Sequence, residues 1–135
     1  STLSQYKEDV DMHPTQWPTK YAFENLRIKR YLCDSNQQHD FHSDVTNKDS
    51  AKRFFSIICY LNEDFDGGHT LFPMFDQKFK PSKGSILLFP CTWSYLHKGS
   101  ECTNGYAKYI LGTFLNYVTG HETVRSGDKL LGKPQ

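Results

Sequence analysis

Between residues 21 and 117 the chain consists of short apolar and aromatic runs cut by turn residues, with almost no helical periodicity. A helix would need apolar residues at every third or fourth position over several turns, whereas compact runs rich in Phe, Tyr, Ile and Leu suit extended strands. Frequent short strands make an all-β sandwich or barrel the expected architecture. The most apolar run, residues 53–62, is expected to be a central strand. Further strands are expected at 25–32, across His42 and Asp44, and at 69–72, 77–80, 85–89, 94–97 and 107–117. Turn signals separate them: Asp34-Ser35-Asn36-Gln37, the paired glycines Gly67-Gly68, Pro81-Ser82-Lys83-Gly84 and Thr103-Asn104-Gly105. Before the strands, only residues 3–10 could hold a short helix. Residues 45–52 have loop composition, and 120–135 reads as a tail with Gly, Lys and Pro.

A length of 135 residues fits one domain, 1–135, with a core at about 21–117 and enough chain to bury it without disulfide or zinc staples. Lys and Arg number 16 against 15 Asp and Glu, a net charge of +1, so no overall field draws the chain onto nucleic acid or an anionic membrane. No apolar run approaches the length of a membrane span, and no secretory leader is visible. Cys33, Cys59, Cys91 and Cys102 form no Cys-x-x-Cys pair, which argues against structural zinc and against a thioredoxin-like motif. They are expected to be free thiols, Cys59 a small buried hydrophobe, and the chain intracellular and cytoplasmic.

In His42-Ser43-Asp44 an imidazole and a carboxylate stand two residues apart, and on an extended strand such residues project from the same face. With six His and ten Asp in the chain, the triplet arises by chance roughly 0.4 times, so its surroundings must carry the argument. A more distant imidazole would complete the facial triad that grips one side of an Fe(II) ion and leaves the other side open. His97 is the candidate. Alone it reads better as a structural histidine, and the His42 and Asp44 pair reverses that reading. His39 and His69 read as surface histidines.

Tyr31, His42-Ser43-Asp44, Arg53, Tyr60-Leu61-Asn62, Phe65-Asp66-Gly67-Gly68-His69-Thr70-Leu71-Phe72, Pro81-Ser82-Lys83-Gly84, Phe89-Pro90, His97-Lys98-Gly99 and Gly105-Tyr106-Ala107-Lys108-Tyr109 follow one another in a telling order. Over about residues 21–117 this series resembles the prolyl 4-hydroxylase-like branch of the Fe(II)/2-oxoglutarate dioxygenases. The resemblance implies a double-stranded β-helix, a jelly roll with the metal inside its open end, here with few or no flanking helices. It implies His42, Asp44 and His97 as iron ligands, and Lys108 as the cation that pairs with the distal carboxylate of 2-oxoglutarate. Tyr60 matches a hydrogen-bond donor to that carboxylate, Tyr31 an aromatic residue near the cosubstrate's other end, and Arg53 a residue towards the substrate side. Two departures stand out: His69 follows Gly67-Gly68 where the family commonly has Glu, and Lys108 lies one residue farther from the distal His than is usual.

The implied activity is hydroxylation of a C–H bond with Fe(II), 2-oxoglutarate and O2, with ascorbate supporting turnover. A prolyl residue of a peptide or protein is the favoured substrate, and a small molecule stays open. From the residues alone, Lys108 shares a strand face with Ile110, Gly112 and Phe114, where an ammonium group needs an anionic partner unless it is a solvated edge lysine. Trp93 and Tyr95 flank His97 as a substrate platform or as packing between strands. Arg53 binds substrate or pairs with a nearby Asp. Two rival functions are a cupin-like metal-binding module without catalysis, which needs no carboxylate clamp, and a zinc hydrolase, for which the chain nominates no general base.

Overall fold

The computed structural model describes residues 1–38 and 40–119. The spine is β10 (Ala107–Tyr117), an eleven-residue strand whose alternating side chains face the cavity on one side and the packed outer layer on the other. Along one edge β10 pairs antiparallel with β3 (Arg53–Tyr60), and β3 pairs in turn with β7 (Ile86–Pro90). Along the other edge it carries β1 (Tyr21–Phe23) and then β2 (Arg27–Leu32). Opposite this large sheet stand short strands. One set is β5 (Thr70–Phe72) between β6 (Gln77–Phe79) and β8 (Lys98–Gly99); the other is the ribbon of β4 (Asp66–Gly67) with β9 (Cys102–Thr103). The result is the expected double-stranded β-helix, with one helix, α1 (Thr2–Asp9), ahead of it.

Register explains how the large sheet builds a cavity wall. Tyr31 lies opposite Lys108, Tyr60 opposite Ile110, and Ile58 opposite Gly112, so one pleat face presents all six to the same interior. Behind that wall the core is aromatic. Phe55 and Leu115 are cross-strand partners at 2% and 0% exposure, and Trp17 meets both Phe54 and Phe55 edge to face at 5.1 Å. Tyr6 of α1 reaches Phe55 at 4.9 Å, and Lys7 caps the Trp17 ring at 4.5 Å. The polar N-terminal segment, which has little pattern of its own, thus covers one end of the sheet.

Three expectations about local structure need correction. His42 and Asp44 are not on a strand: His42 makes a single antiparallel bridge, and Asp44 sits in a bend. Flanking loops rich in Asn, Asp, Ser and Lys supply no further pairing partners, so the ladder stops after one rung. Residues 94–97 are likewise not a strand, since Trp93–Tyr95 forms a 3-10 turn closed by the Tyr95 N–H on the Thr92 carbonyl at 3.0 Å. The strand expected at 25–32 is β2, Arg27–Leu32, and a further strand, β1, precedes it. Between them Glu24 bonds Phe114 O through its N–H at 2.9 Å, and its carbonyl accepts from the Thr113 hydroxyl at 2.7 Å. Gly67 and Gly68 do have the positive φ expected of them, +67° and +66°, but Gly67 pairs with Cys102 instead of closing a hairpin. The tail at 120–135 and His39 lie outside the described residues.

Removing the aromatic side chain at the centre of this packing opens a cavity that the rigid sheet cannot collapse. Phe55→Ala should therefore lower stability by about 3–5 kcal/mol, read from the shift of the urea unfolding midpoint. A loss below about 1 kcal/mol would show that the aromatic cluster does not form.

Candidate active site

The site begins with a backbone contact. His42 and His97 exchange both hydrogen bonds, His42 N–H to His97 O at 2.9 Å and His97 N–H to His42 O at 3.0 Å. This sets their rings side by side, centroids 4.4 Å apart. Each Nδ1 then lies 2.8 Å from a backbone carbonyl two residues earlier, that of Asp40 for His42 and of Tyr95 for His97. A carbonyl only accepts, so in the neutral imidazole each Nδ1 carries the proton and the Nε2 lone pair is the one a metal would take. Both Nε2 atoms face Asp44 Oδ1, at 3.6 and 3.5 Å.

These three residues offer ligand atoms that all lie within 4.8 Å of one another. The Asp44 side chain is 7% exposed, and among the described residues its Oδ2 has no hydrogen-bond partner. A buried carboxylate with an orphaned oxygen costs several kcal/mol unless a cation satisfies it. Burial, opposed in part by Asp44, holds His97 below the ordinary imidazole value, so it stands ready as a neutral donor. Two imidazoles and one carboxylate on one side of a cavity suit Fe(II) with coordination positions left open.

Farther into the same cavity, Lys108 is 5% exposed. Its Nζ donates to Gly68 O at 3.1 Å and stands 5.0 Å from the Tyr31 ring centroid. Among the described residues no carboxylate lies within ion-pair distance of it, and burial lowers its pKa from the ordinary lysine value. Its charge is therefore costly until an anion arrives. Gly68 makes the approach possible: a Cβ there would stand 2.8 Å from Phe65 Cε2 and 3.1 Å from Lys108 Cδ. The Tyr60 hydroxyl lies 2.5 Å from Thr70 Oγ1, and both side chains line the cavity, whose empty volume is about 880 Å³ including its mouth.

The structure thus gathers His42, Asp44, His97, Tyr31, Tyr60 and Lys108 around one space. The three residues expected towards the substrate lie apart from it. Arg53 grips Glu24 with two bonds, Nε to Oε1 at 2.7 Å and Nη2 to Oε2 at 3.0 Å, and stacks on the Phe114 ring at 4.1 Å. Its anionic partner is thus a Glu 29 residues away, and an Nη1 contact reaches only the backbone oxygen of Asp44, at 3.4 Å. Trp93 is 75% exposed, and Tyr95 packs on Phe75 at 5.0 Å over a separate apolar hollow. Sequence reasoning missed Thr70, Lys29 and Glu24, which line the cavity. For Lys29 the two-residue spacing from Tyr31 on one strand was the available signal; Thr70 and Glu24 meet their partners only through the fold.

The sequence matches the family described as the 2OG-Fe(II) oxygenase superfamily over residues 26–116. It is 35% identical over 98 residues to an Acanthamoeba polyphaga mimivirus protein named "Putative prolyl 4-hydroxylase", a match that covers 61% of this chain and 40% of that protein. The match therefore spans about two fifths of that curated relative's length. The viral collagen prolyl hydroxylase of Paramecium bursaria Chlorella virus-1, solved as a 2OG complex, superposes with a TM-score of 0.68 at 25% identity, covering 87% of this chain and 72% of that one. A Trichoplax adhaerens prolyl hydroxylase, solved with a hypoxia inducible factor peptide fragment, shares the fold at a TM-score of 0.60 and 21% identity, over 70% of this chain and 44% of that one. With the match running from β2 through β10 and enclosing every residue of the triad, the chain belongs to the 2OG-Fe(II) oxygenase superfamily.

Proposed function

We propose that the chain is a single-domain Fe(II)- and 2-oxoglutarate-dependent dioxygenase that hydroxylates a prolyl residue of a peptide or protein. The observation that carries this reading is Lys108, a buried cation without a carboxylate partner among the described residues, in the cavity that also holds the His-Asp-His triad. A module that only bound metal would have no use for such a charge, whereas a dicarboxylate with one end at the metal supplies its missing partner. The prolyl substrate is supported by the names of the relatives, which include prolyl hydroxylases of viruses and of Trichoplax adhaerens.

In this reading His42, Asp44 and His97 hold Fe(II), each imidazole fixed by its Nδ1 bond to a carbonyl. Lys108 takes the distal carboxylate of 2-oxoglutarate, with the Tyr60 hydroxyl as a second donor while Thr70 accepts or donates beside it. Tyr31 forms the wall against which Lys108 is positioned. Bound Fe(II) supplies the redox chemistry by which O2 and 2-oxoglutarate yield succinate, CO2 and one hydroxylated substrate carbon. Ascorbate would support activity as a reductant. The apolar face of Ile58, Ile110 and Phe114 limits water around the reacting groups.

Asp44→Ala removes the only anionic ligand. Fe(II) affinity, measured by anaerobic calorimetry on folded protein, should fall by more than the roughly 10–100-fold that loss of an outer partner costs. Unchanged affinity would sink the triad.

Lys108→Ala should raise the 2-oxoglutarate concentration for half-maximal succinate production by roughly ten- to a hundredfold, because a charge-assisted bond in a partly dry site is worth about 1.5–3 kcal/mol. Tyr60→Phe should cost less, about 0.5–1.5 kcal/mol, since one neutral donor is lost. Both should keep their iron. Succinate formation on a panel of proline-containing peptides, with the added oxygen located by mass spectrometry, tests the substrate. If no peptide stimulates turnover or gains oxygen, the prolyl reading fails.

A further inference from the structure

Cys33 and Cys102 are 69 positions apart in sequence, yet their Sγ atoms stand 2.6 Å from each other. Their backbones are held together independently of the sulfurs. The Asp34 N–H bonds the Cys102 carbonyl at 2.9 Å, and the Cys33 N–H bonds the Tyr106 carbonyl at 3.0 Å. Two side-chain contacts reinforce this: Asn36 N–H to Glu101 Oε1 at 3.0 Å, and Asn104 N–H to Asp34 Oδ2 at 3.2 Å. The turn after β2 is thus fastened to the β9 region on both sides of the two thiols. A disulfide needs such a backbone approach with the sulfurs facing each other. Among the described residues no other pair of thiols is in contact; Cys59 and Cys91 lie elsewhere in β3 and just after β7.

We propose that Cys33 and Cys102 form a disulfide that fastens the end of β2 beneath the cosubstrate-binding lysine. The oxidant is a small disulfide such as glutathione disulfide. One cysteine thiolate attacks it and releases a first glutathione thiol, and the second cysteine then displaces the other. Two electrons pass from the cysteines to glutathione, one S–S bond breaks as another forms, and the two thiol protons end on the two released glutathiones.

The position gives the link a purpose. Among the described residues β2 pairs with no strand but β10, and beyond it the turn is fastened by hydrogen bonds that a covalent link would reinforce. Tyr31, two residues before Cys33, stands directly across from Lys108. Cys102 packs its Cβ against the site of Gly68, whose carbonyl receives the Lys108 ammonium. One covalent bond therefore holds both walls of the lysine pocket at once. All four cysteines are free thiols in this structure, as the sequence led us to expect, and the link is the oxidised state of the Cys33 and Cys102 pair.

In the reduced pair, burial and then the hydrogen bond with Cys102 hold the Cys33 thiol above its ordinary value. Exchange is slow in that state, since the thiolate is the attacking form. The test is accordingly an equilibrium one. The protein is kept at pH 8 in buffers of graded glutathione to glutathione disulfide ratio until its composition stops changing, then acid-quenched, denatured and alkylated. Mass spectrometry should show a species that takes two alkyl groups, on Cys59 and Cys91, and a peptide linking Cys33 to Cys102. The linked form should melt about 10 °C above the reduced form, because the bond closes a long loop in the unfolded chain. Cys33→Ser and Cys102→Ser should each abolish the linked species and the reductant-sensitive rise in melting temperature. Four alkyl groups in every buffer, a link involving Cys59 or Cys91, or equal melting of linked and reduced protein would overturn the proposal. Neither readout requires turnover, so the result is separate from that of the oxygenase reading.

Discussion

Two backbone hydrogen bonds, exchanged between His42 and His97, hold the site together. They place two segments 55 positions apart in sequence at the distance of a single β rung, and the imidazoles follow because a bridged pair points its side chains to the same face. The two Nδ1 to carbonyl bonds then turn both rings so that Nε2 looks inward. Asp44 completes the set from the bend that follows. No part of this requires regular strands. A single rung is enough because the loops around it are anchored elsewhere, for example by Ser50, whose hydroxyl receives the N–H groups of Thr46 and Asn47 at 3.1 and 3.2 Å.

The proposed metal-ligand end and the proposed anion-binding end belong to different parts of the fold. His42 and His97 come from the irregular segments, whereas Lys108, Tyr31 and Tyr60 stand on the large sheet. The sheet is the stiff half: its register is set by the alternation of β10, and a slip of one residue would turn Lys108 outward and Tyr109 inward. A ligand reaching from the triad to Lys108 therefore spans the two layers and measures the gap between them. Under the proposed function, selection of a five-carbon diacid over shorter monoacids would follow from that arrangement.

Much of this was legible before any coordinates. The all-β class came from runs too short for helices, and β10 and β3 were read with nearly their observed limits because each is a long apolar segment bounded by turn residues. The triad was legible as chemistry, through a His-x-Asp triplet and its place in a family series. What failed was the local geometry around it. A one-rung bridge at His42 and a 3-10 turn at Trp93–Tyr95 leave no periodic trace for sequence to show. The partners of Arg53, Tyr60 and Cys33 were equally hidden, since Glu24, Thr70 and Cys102 reach them only once the sheets are assembled. The polar segment before Tyr21 showed no role because Trp17 acts through ring contacts with β3 that its own neighbours do not announce.

The fork between Arg53 and Glu24 bears on what can enter the cavity. Glu24 lines that cavity at the junction of β1 and β2, so an unmatched carboxylate there would push away any dianion approaching from outside. Arg53 cancels it at close range while keeping its own guanidinium over the Phe114 ring, apart from the cavity lining. The cations that line the same space are then Arg27, Lys29 and Lys108. Their charge favours an anion over a cation in the cavity. The arginine shapes the traffic through the doorway without standing in it.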